Sequence, residues 1–184
     1  MRSRRLWRGI GAFVRRHPRY NILFGAVSIS RDYHHVSRNL MVRFLKENRF
    51  DRRMSRLVKP RNPYRSRRIE EISRRLLRSS FQDITDVSVL ISEIEQDGKG
   101  IPVLLRHYLN LNGRFLSFNV DRMFSDVVDG LLVVDLKHSD PRLLKRFMGK
   151  QGYRRFSAYH GLDQQGVPPS DRAAAKNVHD DRAA

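Results

Sequence analysis

Ser28, Ser30, Asp32 and Tyr33 crowd the end of an apolar run, Ile22-Leu-Phe-Gly-Ala-Val-Ser-Ile29, and Asn119 and Asp121 close a second run that begins at Arg114. Polar groups at strand ends are where a site forms in an open α/β sheet, because ligands bind outside the carboxyl ends of the strands. A carboxylate within hydrogen-bond reach of an acceptor proton can act as a general base, so Asp32 and Asp121 are the candidate catalytic residues if their strands are neighbours. Ser28, Ser30, Tyr33 and Asn119 would then contact substrate. The same residue types also serve plainer ends: Asp32 as a helix cap, Asp121 as a turn former. Arg61, in Arg61-Asn-Pro-Tyr64, can hold an anionic head group or belong only to a turn.

Other chemistries lack their residues. There are no cysteines, which excludes disulfides and thiolate metal sites. The seven histidines show no metal-ligand spacing, and adjacent His34 and His35 should point to different sides of a helix. No Gly-x-Ser-x-Gly, His-Glu-x-x-His or phosphate-binding Gly-rich loop is present.

Position depends on the elements. From Ile22 to Ile29 both pleat faces are apolar, which predicts a strand covered on both sides. It runs into a helix carrying Tyr33, Val36, Leu40, Met41, Phe44 and Leu45, capped by Asp32 or Ser30. A short helix, Leu6 to Arg16, precedes it and stops before Pro18. A basic connection with Pro60 and Pro63 leads to a basic helix from Ile69 to Leu77. Another helix, with Ile84, Val87, Leu90, Ile91 and Ile94, is capped near Asp83 or Thr85 and stopped at Gly98. Pro102 opens one more through Leu111. Strands Arg114 to Val120 and Gly130 to Leu136 should pair antiparallel, joined by a connection holding Asp121, Asp126 and Asp129. Asp140-Pro141 starts a helix with Leu143, Leu144, Phe147 and Met148. Residues 1–160 thus read as one α/β domain, and 161–184, nearly without apolar residues, as a disordered tail.

Charge is placed unevenly. Residues 1–82 carry 23 Lys and Arg against 5 Asp and Glu, whereas residues 83–184 carry 14 of each. Arginine's planar fork suits phosphate, so acidic partners are expected: anionic lipid, an acidic carrier protein, a phosphorylated cofactor or nucleic acid. Nucleic acid fits least, because aromatic residues do not interleave with arginines along a strand. No segment approaches the roughly 20 apolar residues that span a bilayer, which predicts a cytoplasmic chain or one peripheral on the inner face of the membrane.

Several segments in order, Leu6-Trp-Arg-Gly-Ile-Gly-Ala-Phe-Val-Arg-Arg-His-Pro-Arg-Tyr20, Leu23 to Ser30, Pro60-Arg-Asn-Pro63, Pro102 to Leu109, Gly113 to Asp121 and Leu131 to Leu136, resemble the C-terminal half of a bacterial GNAT-fold acyltransferase family. These are the hemolysin-like and ornithine-lipid N-acyltransferases, also found joined to glycerolipid acyltransferase domains. The resemblance implies a partial GNAT-like mixed sheet flanked by helices and lacking the N-terminal strands. It implies transfer of a fatty acyl group from acyl-carrier protein or acyl-CoA, with no tightly bound cofactor, to an amine or hydroxyl of a polar lipid precursor such as an amino acid or lysolipid. Tyr20 to Ser30 would be the second strand of the donor splay. The helix of Leu6 to Arg16 would face the donor phosphates, with Arg2, Arg4 and Arg5 beside them, since a helix N-terminus favours anions. The chain starts where the family has its phosphate loop and first splay strand, so a truncated or split form is expected, with a separate polypeptide as the source of those strands. A basic module binding RNA or anionic membrane is the non-enzymatic alternative.

Overall fold

In the computed structural model, residues 2–66 and 83–162 are described, with side chains from Leu6 onward. The basic helix expected at Ile69 to Leu77 and all but the start of the expected tail lie outside them. The chain divides into two units, Met1–Asn21 with Pro141–Ala184, and Ile22–Asp140.

Alternation builds the larger unit. Strand β1 (Ile22–Ile29), helix α2 (His35–Asn48), helix α3 (Ile84–Ile94), helix α4 (Val103–Asn110), strand β2 (Arg114–Asp121) and strand β3 (Val127–Asp135) follow in order. The hairpin expected from the two later strands forms, and β3 lies between the others in the order β1-β3-β2, with both ladders antiparallel. Val27, Ile29, Phe115, Phe118, Val128, Leu132 and Val134 are buried with Leu40, Met41, Phe44 and Leu45 of α2. Helix α2 packs against α3. The outer edge of β2 is satisfied by the connection after α2. The Phe115 N–H donates to the Arg49 carbonyl (2.7 Å) and the Asp51 N–H to the Phe115 carbonyl (2.9 Å), a parallel bridge. Farther along, the Val120 N–H donates to Asn62 (2.8 Å) and the Tyr64 N–H to Phe118 (3.0 Å), bridging Pro63 antiparallel to Asn119. The architecture is α/β, a three-stranded antiparallel open sheet flanked by helices, with the parallel bridge of Phe50 to Phe115 added at its β2 edge, and is consistent with the partial GNAT-like sheet expected.

Strand β1 departs from expectation. It is an edge strand, and only its Val27 and Ile29 side is buried; Phe24 on the other face is 81% exposed and Ile22 48%. Apolar composition on both faces needs two covering layers, and among the described residues one face has none. No described strand pairs with its outer edge. Strand β3 begins at Val127, three residues earlier than expected, because Asp129 sits within the ladder opposite Ser28. Helix α2 is capped by His34 and not by Asp32 or Ser30: the His34 Nδ1 accepts from the Val36 N–H. His34 lies outside the helix proper, so its ring meets that of His35 at 4.3 Å, where a continuous helix would have parted them. Asp83 caps α3 as expected, accepting from the Thr85 N–H at 3.0 Å; that bond, followed by the Thr85 hydroxyl's, holds its carboxyl below the usual range.

In the smaller unit, helix α1 (Arg2–Arg16) packs against helix α5 (Pro141–Tyr159), which turns at Gly149, where φ is 78°. Trp7 stacks on Phe147 with centroids 5.4 Å apart, and Val14 and Phe156 are fully buried. Gly11 lets the backbones touch: a Cβ there would stand 2.3 Å from the Phe147 carbonyl oxygen.

Candidate functional site

Cross-strand partners in a sheet share a face, and their side chains interact directly. Ser28 of β1 lies opposite Asp129 of β3, and Asp129 lies opposite Asn119 of β2, so three polar residues form one row across the sheet. The Ser28 hydroxyl donates to Asp129 Oδ1 at 2.5 Å. Asn119 Oδ1 accepts from the Asn62 N–H at 2.7 Å, which anchors the Pro60 to Pro63 segment to the end of the row and leaves Arg61 exposed beside it. This row lies on the same face of β1 as exposed Phe24 and Ala26.

Beyond the end of β1 the chain turns through Ser30 and Asp32, whose side chains bond each other at 2.8 Å. Asp32 and the residues that follow it open onto a cavity of about 560 Å³ lined by Asp32, Tyr33, His34, Glu95, Asp97 and Lys99, among others. Glu95, at the end of α3, is almost fully buried and takes the His34 N–H at 2.8 Å. Lys99 sits among carboxylates, 3.5 Å from Glu95 and 3.2 Å from Asp97, and above the Tyr33 ring at 4.9 Å. Partial desolvation opposes its charge, but the hydrogen bond and charge of Asp97, with the charge of Glu95, prevail and raise its pKa above the ordinary lysine value. The Lys99 N–H in turn holds the Asp97 carboxyl below its usual range. Tyr33 donates to the Gly100 carbonyl at 2.8 Å, and burial pushes its phenol pKa up despite Lys99. Arg31 reaches Asp126 at 3.2 Å, which ties the β2–β3 turn to this loop.

Ser28 and Asn119 therefore flank Asp129 in the row, with Arg61 at its end, whereas Ser30, Asp32 and Tyr33 belong to the cavity loop. Asp121 does what a turn former does, accepting from the Met123 and Phe124 N–H groups at 2.9 and 3.1 Å. Strand β3 separates β1 from β2, so Asp32 and Asp121 do not close adjacent strands. Arg2, Arg4 and Arg5 fall in the first turns of α1, their side chains outside the described ones. Sequence reading missed Asp129, Glu95 and Lys99. Asp129 had a signal, a lone carboxylate inside an apolar run; Glu95 had none, since its partner His34 is distant in sequence. Among the described residues no cluster of His, Cys, Asp or Glu is arranged to hold a metal.

The chain is similar to two glycine N(alpha)-acyltransferases. It is 33% identical over 145 residues to that of Bacteroides thetaiotaomicron, covering 75% of this chain and 41% of the relative. It is 26% identical over 132 residues to that of Phocaeicola vulgatus, covering 70% of this chain and 39% of the relative. The chain thus spans about two fifths of the length of these glycine N(alpha)-acyltransferases. No family model matches the chain, and no solved structure matches it. Both relatives are named as acyltransferases, and the resemblance read from the sequence is likewise to an acyltransferase family.

The cavity's rigidity rests on Glu95. Glu95→Ala strands the His34 N–H and removes a counter-charge from Lys99; an unmade buried hydrogen bond costs about 2 kcal/mol. The expected result is a melting temperature lower by about 4–8 °C for a chain of this size. Glu95→Gln, which keeps the acceptor oxygen, should recover most of it in the same thermal scan.

Proposed function

We propose that this chain acts in the transfer of a fatty acyl group from acyl-carrier protein or acyl-CoA to the amine of a small amino acid. The observation that carries this reading is the Ser28–Asp129–Asn119 row, which includes the end of the strand whose following loop lines a cavity of mixed charge, in a chain similar to glycine N(alpha)-acyltransferases. An amino acid acceptor is a zwitterion. A cavity offering Asp32 and Asp97 to its ammonium, and Lys99 and Arg31 to its carboxylate, complements both charges, which favours it over a lysolipid hydroxyl.

The donor thioester would lie along the outer edge of β1, whose amides on that side have no partner among the described strands. Such amides, aimed at the carbonyl oxygen, stabilise the developing oxyanion. A further strand pairing there, from a longer polypeptide or a separate one, would complete the groove and cover Phe24. Asp129, oriented by Ser28, takes the proton from the attacking amine. The carbon–nitrogen bond forms, the carbon–sulfur bond breaks, and the proton passes on to the leaving thiolate.

The test is incubation of the purified chain with acyl-carrier protein or CoA thioesters and labelled glycine, followed by mass analysis. N-acylglycine formed in proportion to the chain is the expected result. A folded chain that consumes neither thioester overturns the proposal for this polypeptide acting alone.

A further inference from the structure

The described part of the smaller unit, residues 2–21 and 141–162, contains thirteen Lys and Arg and no Asp or Glu. The unit's four aspartates all fall after residue 162. No carboxylate is therefore available on α1, α5 or the loop after α1 to neutralise this surface from within. Where α1 ends and α5 ends, Arg16, Arg19 and Arg155 converge with His17 and Tyr159 on a cleft of about 530 Å³. All three arginines are exposed.

Apolar groups share the surface. Leu6, Phe13, Tyr20 and Tyr159 are each close to half exposed or more, and Leu6 and Phe13, seven residues apart, fall on one side of α1. Phe13, His17 and Tyr20 form a ridge with ring centroids 5.0 to 6.4 Å apart. Arg19 lies over the Tyr20 ring at 4.8 Å and donates to its hydroxyl at 3.0 Å.

We propose that this unit docks on the surface of an anionic phospholipid bilayer, with Arg16, Arg19 and Arg155 on lipid phosphates and Phe13 and Tyr20 at the headgroup boundary. Guanidinium forks match phosphate oxygens, and aromatic rings with a polar rim favour the bilayer interface. Basic residues near such a surface add attraction while the apolar face inserts shallowly. A single-stranded nucleic acid would instead need separate rings on which bases stack, and here the three rings pack on one another. The proposal goes beyond the acyl-transfer reading and is tested without activity.

The experiment is co-sedimentation of the full chain with phosphatidylcholine vesicles, with and without about 30 mol % phosphatidylglycerol, at about 0.1 and 0.5 M salt. Partition onto the anionic vesicles should exceed that onto neutral ones and fall, without vanishing, at the higher salt. Arg16→Gln/Arg19→Gln/Arg155→Gln, all at exposed positions, should weaken it on the order of 100-fold, at about fivefold per charge. Phe13→Ser should weaken it about tenfold and leave less binding at high salt. Equal partition onto neutral vesicles overturns the proposal. So does a triple variant that binds anionic vesicles as wild type does while losing affinity for RNA or for acyl-carrier protein.

Discussion

Replacing Asp129 by asparagine should leave the protein folded and lower kcat for amine acylation by about 10²–10⁴-fold, the range lost when a general base is removed. Asparagine keeps the shape and can still accept from the Ser28 hydroxyl, which now stands 2.5 Å from Asp129 Oδ1, so the sheet has no reason to rearrange. What is lost is the capacity to hold a proton. The acceptor KM should stay near wild type. Ser28→Ala removes only the orienting hydroxyl and should cost about tenfold. Asp32→Ala, by contrast, alters the cavity and should act mainly through the acceptor KM. Full kcat in the asparagine variant would transfer the base to another carboxylate, with Asp32 the next to test.

The second large effect is structural. In Gly11→Ala the new Cβ would sit 2.3 Å from the Phe147 carbonyl oxygen and 2.6 Å from its carbonyl carbon. Backbone cannot rotate aside as a side chain can, so α1 and α5 must separate, and overpacking of this kind costs about 3 kcal/mol. At 2–4 °C per kcal/mol for a chain of this size, melting should fall by about 6–12 °C. Hydrogen exchange should rise in both helices together. Gly9→Ala supplies the control within the same helix: Gly9 is exposed with nothing near its would-be Cβ, so the change should gain up to about 1 kcal/mol of helix propensity. Identical melting of the two variants would refute the close crossing at Gly11.

The sequence by itself determined the elements with strong local signals. Helical spacing of Leu40, Met41, Phe44 and Leu45 marks α2, Asp83 caps α3, and alternation through Phe118 and Val120 marks the hairpin. Each depends on neighbours a few residues away, and such signals are complete in the chain. It also placed Ser28 and Asn119 at strand ends, though not opposite a common partner. The tertiary structure alone decided the rest. Register between strands set Asp129 against Ser28, a pairing across 101 residues. The insertion of β3 between β1 and β2 kept the strands that lead to Asp32 and Asp121 from being neighbours and left β1 at the edge, with an apolar face that composition alone would have buried. Packing of α3 beside α2 brought the Glu95 carboxylate to the His34 N–H across 61 residues. Contacts of this reach are chosen by how whole elements exclude water together, and no local window of residues carries that information.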